Sequence, residues 1–490
     1  SYFYRRAEKA APQISLLSRV AVLVAGAICI GLCLFGIRGR MGYNPIKVSQ
    51  AYYCEDPFLN QLGVNPVFNL LTSTLDDNRK ENRTLHLMSE EDALSKVQKY
   101  LHRQGIDRLS PIARKVEREG TPNRRNVVLV FMESMSANLM GTFGSDKKLT
   151  PYLDSLYQQS LSFSHFYSSG IHTNHGIYST LYSFPAIMKR NAMKGSVIPV
   201  YSGLPTVLQE NGYCNLFFMT HESQYDNMNA FLRTNGFDEI YAQENYPSEK
   251  VVNSFGVQDD FMYQYALPIL NERAGTGNPF FSVLLSISNH PPYVIPPYFH
   301  PHSDVLEEQI VEYADWSIRQ FMQAAEKQPW FDNTIFVFLG DHGKMVGTPE
   351  CEMPQSYNHI PLMIYGKDIK PGVYDGFGGQ VDVSPTLLGL LNISYLQNNF
   401  GVNLLEEERP CMFFTADNLI GARDSVNMFI YSPDSQQEFK YKLEEGKLHA
   451  ATGTDEEAFR NLKDYCFSML QSTESLVKEH KTLDKVSVKK

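Results

Sequence analysis

Five places in this 490-residue chain set a residue with acid, base, nucleophilic or metal-ligating chemistry after an apolar, strand-like run. NVVLVFM ends at Glu133. LSFSHFY leads through Ser168-Ser169-Gly170-Ile171-His172 to Thr173. CNLFFMT ends at His221, FFSVLLSI leads to Ser288-Asn289-His290, and TIFVFLG ends at Asp341-His342-Gly343. Taken singly, most have an ordinary explanation. Glu133 can cap a turn, Thr173 can be a helix N-cap, His221 can be a satisfied loop histidine, and His290 can pack against the Pro-Pro that follows. Asp341-His342 after a wholly apolar strand is harder to dismiss, because an Asp and a His at a strand end, with Gly permitting a tight turn, make a frequent metal-ligand layout. Carboxylate oxygens with one imidazole nitrogen suit a divalent cation, with Mn²⁺, Zn²⁺ and Mg²⁺ all open. A threonine hydroxyl is a poor nucleophile at neutral pH, and a dication stabilises its alkoxide. A helix beginning near Thr173 would aim free N–H groups at an incoming anion. His172, His175, His221 and His290 can donate hydrogen bonds to non-bridging oxygens. This is chemistry for displacement at phosphorus or sulfur through a covalent threonine intermediate.

The elements needed to bring these residues together are legible. Apolar, β-branched runs are typical of strands buried on both faces of a parallel sheet. They alternate with helix-like stretches: TPYLDSLYQQS, with Thr150 as cap and Pro151 at the first position, then GIYSTLYSF, LPTVLQENG, NMNAFLRTNG and VEYADWSIRQFMQAAEKQ. The pattern predicts an α/β fold, with a largely parallel central sheet and helices on both faces. In such sheets the ligand crevice lies beyond the carboxyl ends of the strands. All five runs deliver their reactive residues to that edge.

Outside this unit, Val20 to Ile37 carries no charge and predicts an N-terminal transmembrane helix. Arg5, Arg6, Lys9 and Arg19 precede it, and Arg38, Arg40 and Lys47 follow, a balance that leaves orientation open. The chain begins with Ser, so further spans upstream are expected. We place the membrane segment at 1–40, a helical linker at 41–125 that acts as a tether, the catalytic unit at 126–404 and a small C-terminal α+β subdomain at 405–490. Ser89 is expected to cap a helix in the linker, and DDNRKENRT reads as a solvated charge run. The formal charge of -10 argues against a general nucleic-acid binder. Seven scattered cysteines without a C-x-x-C pair suggest neither a disulfide framework nor a zinc site.

VVLVFMESMSANLMG, LTPYLDSL, GIHTNHGIYSTLYSFP, SNHPPY, LGDHG and YNHIPLMIYG, in this order, resemble the alkaline phosphatase superfamily. More closely, they are similar to the sulfatase-like lipoteichoic acid synthase and phosphoglycerol transferase group. The resemblance implies that Glu133, Thr173, Asp341 and His342 bind one divalent cation, usually Mn²⁺. It implies Thr173 as nucleophile, His290 as a phosphate-contacting partner and His221 as a headgroup contact. His172, Asn174, His175 and Arg233 complete the expected substrate-binding set. It also implies a membrane phospholipid donor, a glycan or envelope polymer acceptor, and a catalytic domain outside the cytoplasm of a bacterial cell, anchored in the inner membrane. Where lipoteichoic acid synthases carry a Trp and an Arg after the His221 position, this chain reads QYDNMNAFLR, with Asp226, Asn227 and Met228 nearby and Arg233 further along. The Cys/Ser-x-Pro-x-Arg signature of formylglycine sulfatases is absent around Thr173. Alternative activities are phosphoethanolamine transfer and phosphodiester or sulfuric ester hydrolysis; a non-catalytic envelope receptor is the reading from another class.

Overall fold

The structure, a computed structural model, describes residues 15–484 apart from 42–44, 55–56, 78, 80–81, 83, 196–197, 445 and 452–455. Arg5, Arg6, Lys9 and much of the DDNRKENRT run lie outside the described residues. The first element, α1 (Leu16–Arg38), is a 23-residue apolar helix with a mean hydropathy of 2.8 over its best window and no buried residue. At about 1.5 Å per residue it is long enough to cross a bilayer. Ser15 accepts a hydrogen bond from the Ser18 N–H, and Gly39 closes the helix in the left-handed conformation. Two short helices follow, α2 (Pro57–Leu62) and α3 (Pro66–Asp77). Next comes α4 (Glu90–Tyr100), whose Ser89 cap accepts from the Asp92 N–H as its sequence predicts, and then β1 (Arg114–Val116).

The central unit runs through β2 (Asn126–Met132), α5 (Pro151–Gln159), β3 (Leu161–Tyr167), α6 (Thr173–Tyr182), α7 (Leu204–Glu210), β4 (Cys214–Met219), α8 (Met228–Thr234) and β5 (Glu239–Tyr241). A hairpin of β6 (Val251–Asn253) and β7 (Gly256–Val257) comes next. The unit continues with α9 (Asp259–Ala274), β8 (Phe280–Leu285), α10 (Leu306–Ala325), β9 (Thr334–Gly340), β10 (Leu362–Tyr365), β11 (Gly372–Gly379), α11 (Val383–Leu390) and β12 (Tyr395–Gln397). Eight of these strands form one sheet in the order β11-β3-β10-β9-β2-β8-β4-β5. Only β10 runs against the rest, pairing antiparallel with both β3 and β9. The sheet is therefore largely parallel, and β2, β4, β8 and β9 are buried along almost their whole length by helices on both faces.

The strands β13 (Met412–Thr415), β14 (Ile420–Arg423), β15 (Asn427–Ser432), β16 (Gln437–Glu444) and β17 (Lys447–Ala450) form an antiparallel meander. The terminal helix α12 (Glu456–Lys478) packs on it with a long buried face. The C-terminal α+β subdomain is thus present. Its β14, IGAR, is too short and glycine-bearing to stand out in the sequence.

Three features depart from the sequence expectations. The section read as a tether is packed onto the body: α4 lies against α12, and β1 pairs with β12. The edge strand β11, GVYDGFGG, lacks the β-branched pattern that marks strands; it is held by parallel pairing with β3, with a register shift between Tyr374 and Phe377. Helix α9 contains Pro268, a residue that argues against a helix interior.

Candidate active site

The sheet order explains why residues far apart in sequence meet. Glu133, Thr173, His221, His290 and Asp341 follow β2, β3, β4, β8 and β9, which are parallel, so all five leave the same edge. Glu133 and Asp341 are 2% and 0% exposed, and they end adjacent strands. One ligand atom each from Glu133, Asp341 and His342 lie within 4.8 Å of one another. His342 Nε2 is 3.5 Å from Asp341 Oδ2 and 3.8 Å from Glu133 Oε1. His342 Nδ1 donates to the Gly343 carbonyl at 2.8 Å, which leaves the Nε2 lone pair facing the two carboxylates.

The carboxylates are held from behind. Asp341 Oδ1 accepts the N–H groups of Ser134 and His342, both at 2.8 Å. Ser134 Oγ donates to Glu133 Oε1 at 2.8 Å. Ser134 itself sits at φ 51, a left-handed backbone that costs a non-glycine residue about 1 kcal/mol or more. Asn289 Nδ2 donates to the Glu133 and Ser134 carbonyls, which ties the turn after β8 to the turn after β2. One buried oxygen, Asp341 Oδ2, has no hydrogen-bond partner, and among the described residues no Lys or Arg lies within ion-pair distance of either carboxylate. Burial and the adjacent Asp341 hold the Glu133 carboxyl well above the ordinary carboxylate range. Two buried acids and an imidazole lone pair turned on one point, with an orphaned oxygen among them, fit a divalent cation by donor type and by charge.

Thr173 opens α6 at its first helical position, with His172 in the cap position, so the helix begins three residues before the expected GIYSTLYSF and Thr173 is not the cap. Its Oγ1 is 3.4 Å from Glu133 Oε2, which brings the hydroxyl to the acidic cluster. Gly176, inside this helix, is a position that sequence reasoning passed over. A Cβ there would meet the Asp341 carbonyl oxygen at 2.2 Å, so only glycine lets α6 approach the end of β9 this closely. The signal was a lone glycine within a helical run.

The remaining candidates divide. His290 is half-buried, its ring lies 4.2 Å from that of Phe255, and Nδ1 donates to the Pro291 carbonyl at 2.7 Å, leaving Nε2 free to exchange a proton. Burial lowers its pKa. His221 is buried beside the Tyr225 ring, and its Nε2 has no partner. Burial pushes it down to about 4, so it is neutral at ordinary pH. His172 Nε2 is 2.5 Å from Asp417 Oδ1, a contact with the C-terminal unit. Asn174 Nδ2 donates to Asp226 Oδ2 at 3.0 Å, and its buried Oδ1 has no partner. His175 differs from expectation. Its Nε2 donates to the Arg190 carbonyl at 3.1 Å and its ring packs over Gly170, so it braces the loop before α6. Burial pushes its pKa down to about 3. Arg233 is not brought to this group; its Nε donates to Asn229 Oδ1 on the same helix, because that turn of α8 faces the chain around Tyr52.

Two charged residues join the site that the sequence reading did not assign. Lys344 Nζ donates to Asn289 Oδ1 at 2.6 Å, and burial pushes it down to about 8. Its place directly after Asp341-His342-Gly343 was the available signal. Asp226 Oδ1 accepts from Lys194 Nζ at 3.1 Å. Asp226 and Asn227 both have left-handed backbones, with φ 48 and 69. With His172, Asn174, Lys189 and Tyr225, Asp226 and Lys194 line a cavity of about 560 Å³ beside the start of α6.

Comparison with known proteins finds relatives in sequence and in fold. A family model described as Sulfatase matches residues 125–393. The lipoteichoic acid synthase-like YvgJ of Bacillus subtilis is 25% identical over 362 residues, covering 67% of this chain and 56% of that protein. A lipoteichoic acid synthase of Staphylococcus aureus is 24% identical over 400 residues, covering 72% of this chain and 58% of that protein. The chain therefore spans a little over half the length of these curated relatives. Among solved structures, an alkaline phosphatase superfamily protein from Vibrio parahaemolyticus superposes with a TM-score of 0.73 at 24% identity, covering 82% of this chain and 99% of that one. The lipoteichoic acid synthase LtaP from Listeria monocytogenes gives 0.64 at 22%, covering 79% of this chain and 98% of that one. The two superpositions establish an alkaline phosphatase/sulfatase-like α/β fold, and the Sulfatase match extends over more than half of the sequence: this chain belongs to the sulfatase family.

Proposed function

We propose that this chain is a membrane-anchored, metal-dependent phosphotransferase that moves a phospholipid headgroup of the phosphoglycerol type to an envelope glycan or polymer. The observation that carries this reading is the Thr173 hydroxyl at 3.4 Å from a buried carboxylate in a cluster with an orphaned acidic oxygen. The likeness to lipoteichoic acid synthases supports the substrate class. Glu133, Asp341, His342 and Thr173 would hold one divalent cation, with Mn²⁺ our first choice. When bound, the ion lowers the cost of the threonine alkoxide and offsets charge on the phosphoryl oxygens.

Thr173 Oγ1, as its alkoxide, attacks the phosphorus of the donor, forming a phosphothreonine ester as the bond to the diacylglycerol oxygen breaks and that oxygen takes a proton from His290 Nε2. An acceptor hydroxyl then attacks the same phosphorus and frees Thr173. His290 Nε2 is the atom suited to give and take the proton of the leaving and entering oxygens. His221, neutral and with a free Nε2, and Asn174, with a free Oδ1, supply uncharged contacts to the headgroup. In this reading α1 crosses the bacterial inner membrane and the sheet domain lies outside the cytoplasm. Thr173→Ala abolishes diacylglycerol release from defined phospholipids while metal content stays nearly unchanged. Turnover that survives the substitution overturns the assignment.

A second reading has phosphoethanolamine as the transferred group, its amine taking the place of Lys194 on the Asp226 carboxylate at the cavity wall. Headgroup analysis of products from mixed phosphatidylglycerol and phosphatidylethanolamine vesicles separates the two.

A further inference from the structure

The chain that leaves α1 docks on the segment that carries Tyr225 and Asp226, two residues of the cavity lining. Arg40 pairs with Glu222, the residue after His221. Lys47, partly buried, lies in the field of Lys194, Asp226 and Glu222. The turn at Val48–Ala51 packs on α8, where the Tyr52 carbonyl accepts from Asn229 Nδ2 at 3.0 Å. The end of the apolar span is thereby tied to the loop that carries His221 and Asp226.

Among the described residues, the next two helices turn several large apolar side chains outward. Leu62 at the end of α2 is 69% exposed, and Val67, Leu71 and Leu75 of α3 are 66%, 61% and 68% exposed. The last three recur at four-residue spacing and so share one face. Phe68 and Asn69, on other sides of α3, are half-buried. A helix bathed in water shows the opposite pattern, with its apolar stripe inward. Beyond α3 the chain reaches Arg79 and Asn82, which line the same cavity as His172 and Asn174. An outward apolar face thus stands between a membrane-length helix and the wall of the cavity.

We propose that α2 and α3 lie flat in the headgroup–acyl boundary of the bilayer that α1 crosses, and that they hold the mouth of the cavity lined by His172 and Asn174, beside the start of α6, at the level of the headgroups. The occupant of the apolar face is the lipid surface, because the face follows the span in sequence and is anchored with it to the cavity wall. The donor is then taken while its acyl chains remain in the bilayer. This last step rests on the function proposed above; the placement of the helices does not.

The test uses the full chain in phosphatidylcholine–phosphatidylglycerol vesicles. Cys29, Cys33, Cys54, Cys214 and Cys351 are changed to Ala, and an environment-sensitive fluorophore is attached at Leu71→Cys, or at Glu90→Cys on α4 as control. Lipids bearing a nitroxide near the top of the acyl chain should quench the label at 71 severalfold more than the label at 90. Equal quenching at both positions overturns the proposal. So does a label at 71 that is shielded from lipid while spin labels there report a close second copy. In a second variant, Val67→Glu, Leu71→Glu and Leu75→Glu together should lower diacylglycerol release from vesicles at least tenfold. Hydrolysis of water-soluble bis(p-nitrophenyl) phosphate should stay within twofold. Equal loss on both substrates shows that the helices serve the fold, and overturns the platform. Quenching is read without any turnover, so failure of the proposed activity and failure of the platform give different results.

Discussion

Changing Gly176 to Ala tests whether the seam between α6 and the end of β9 sets the geometry of the nucleophile. The added methyl carbon would lie 2.2 Å from the Asp341 carbonyl oxygen, which is backbone at the end of a fully buried strand. An ordinary C···O contact is about 3.3 Å, so α6 has to retreat by roughly 1 Å. If α6 moves as a rigid body, the Thr173 Oγ1 to Glu133 Oε2 separation grows from 3.4 Å by that amount, to roughly 4.4 Å. A misplacement of this size costs about 100-fold in rate, or about 2.7 kcal/mol of barrier. Overpacking costs about 1–3 kcal/mol of stability, partly offset by about 1 kcal/mol of better helix propensity. The protein should therefore stay folded. Steady-state release of diacylglycerol, with circular dichroism and metal analysis on the same sample, should show kcat down about 100-fold with KM little changed. A kcat within twofold of the parent, on a folded protein, would refute the claim that this contact positions Thr173.

Two further predictions concern stability. Burial and Asp341 raise the Glu133 carboxyl above its ordinary value of 4.5, so the metal-free folded protein binds more protons there than the unfolded chain. Its stability should fall as pH rises above that value in chelator, and a saturating divalent cation should flatten the dependence; identical urea midpoints across pH 4–8 with and without cation would count against a metal centre. Arg409, 5% exposed, donates to Asp382 at 2.6 and 2.8 Å, to Tyr465 and to the Phe400 carbonyl. Arg409→Ala strands a buried carboxylate and should cost about 3–5 kcal/mol in denaturant unfolding, whereas Asp382→Asn in the same background should recover part of that loss.

The strands and their reactive ends were readable because burial on both faces leaves an unbroken apolar run, and a run that stops at Glu133 or Asp341 announces a polar crevice. The span was readable for a similar reason: eighteen uncharged residues from Val20 to Ile37 have few other uses. Neighbour relations were not readable. That Asp341 sits beside Glu133 follows from β9 pairing with β2, a register fixed by packing between segments some two hundred residues apart. The start of α6 at Thr173, the brace made by His175 and the removal of Arg233 from the site were settled by which face each helix turns to the sheet. Gly176 makes the division plain. One dimension shows only a poor helix former, and its purpose appears when a carbonyl from another strand occupies the space that a side chain would fill. Residue type and order determined what chemistry this protein can attempt. The tertiary structure decided which groups stand within reach of one another, because hydrogen-bond and contact forces act over a few ångströms of space and not along the chain.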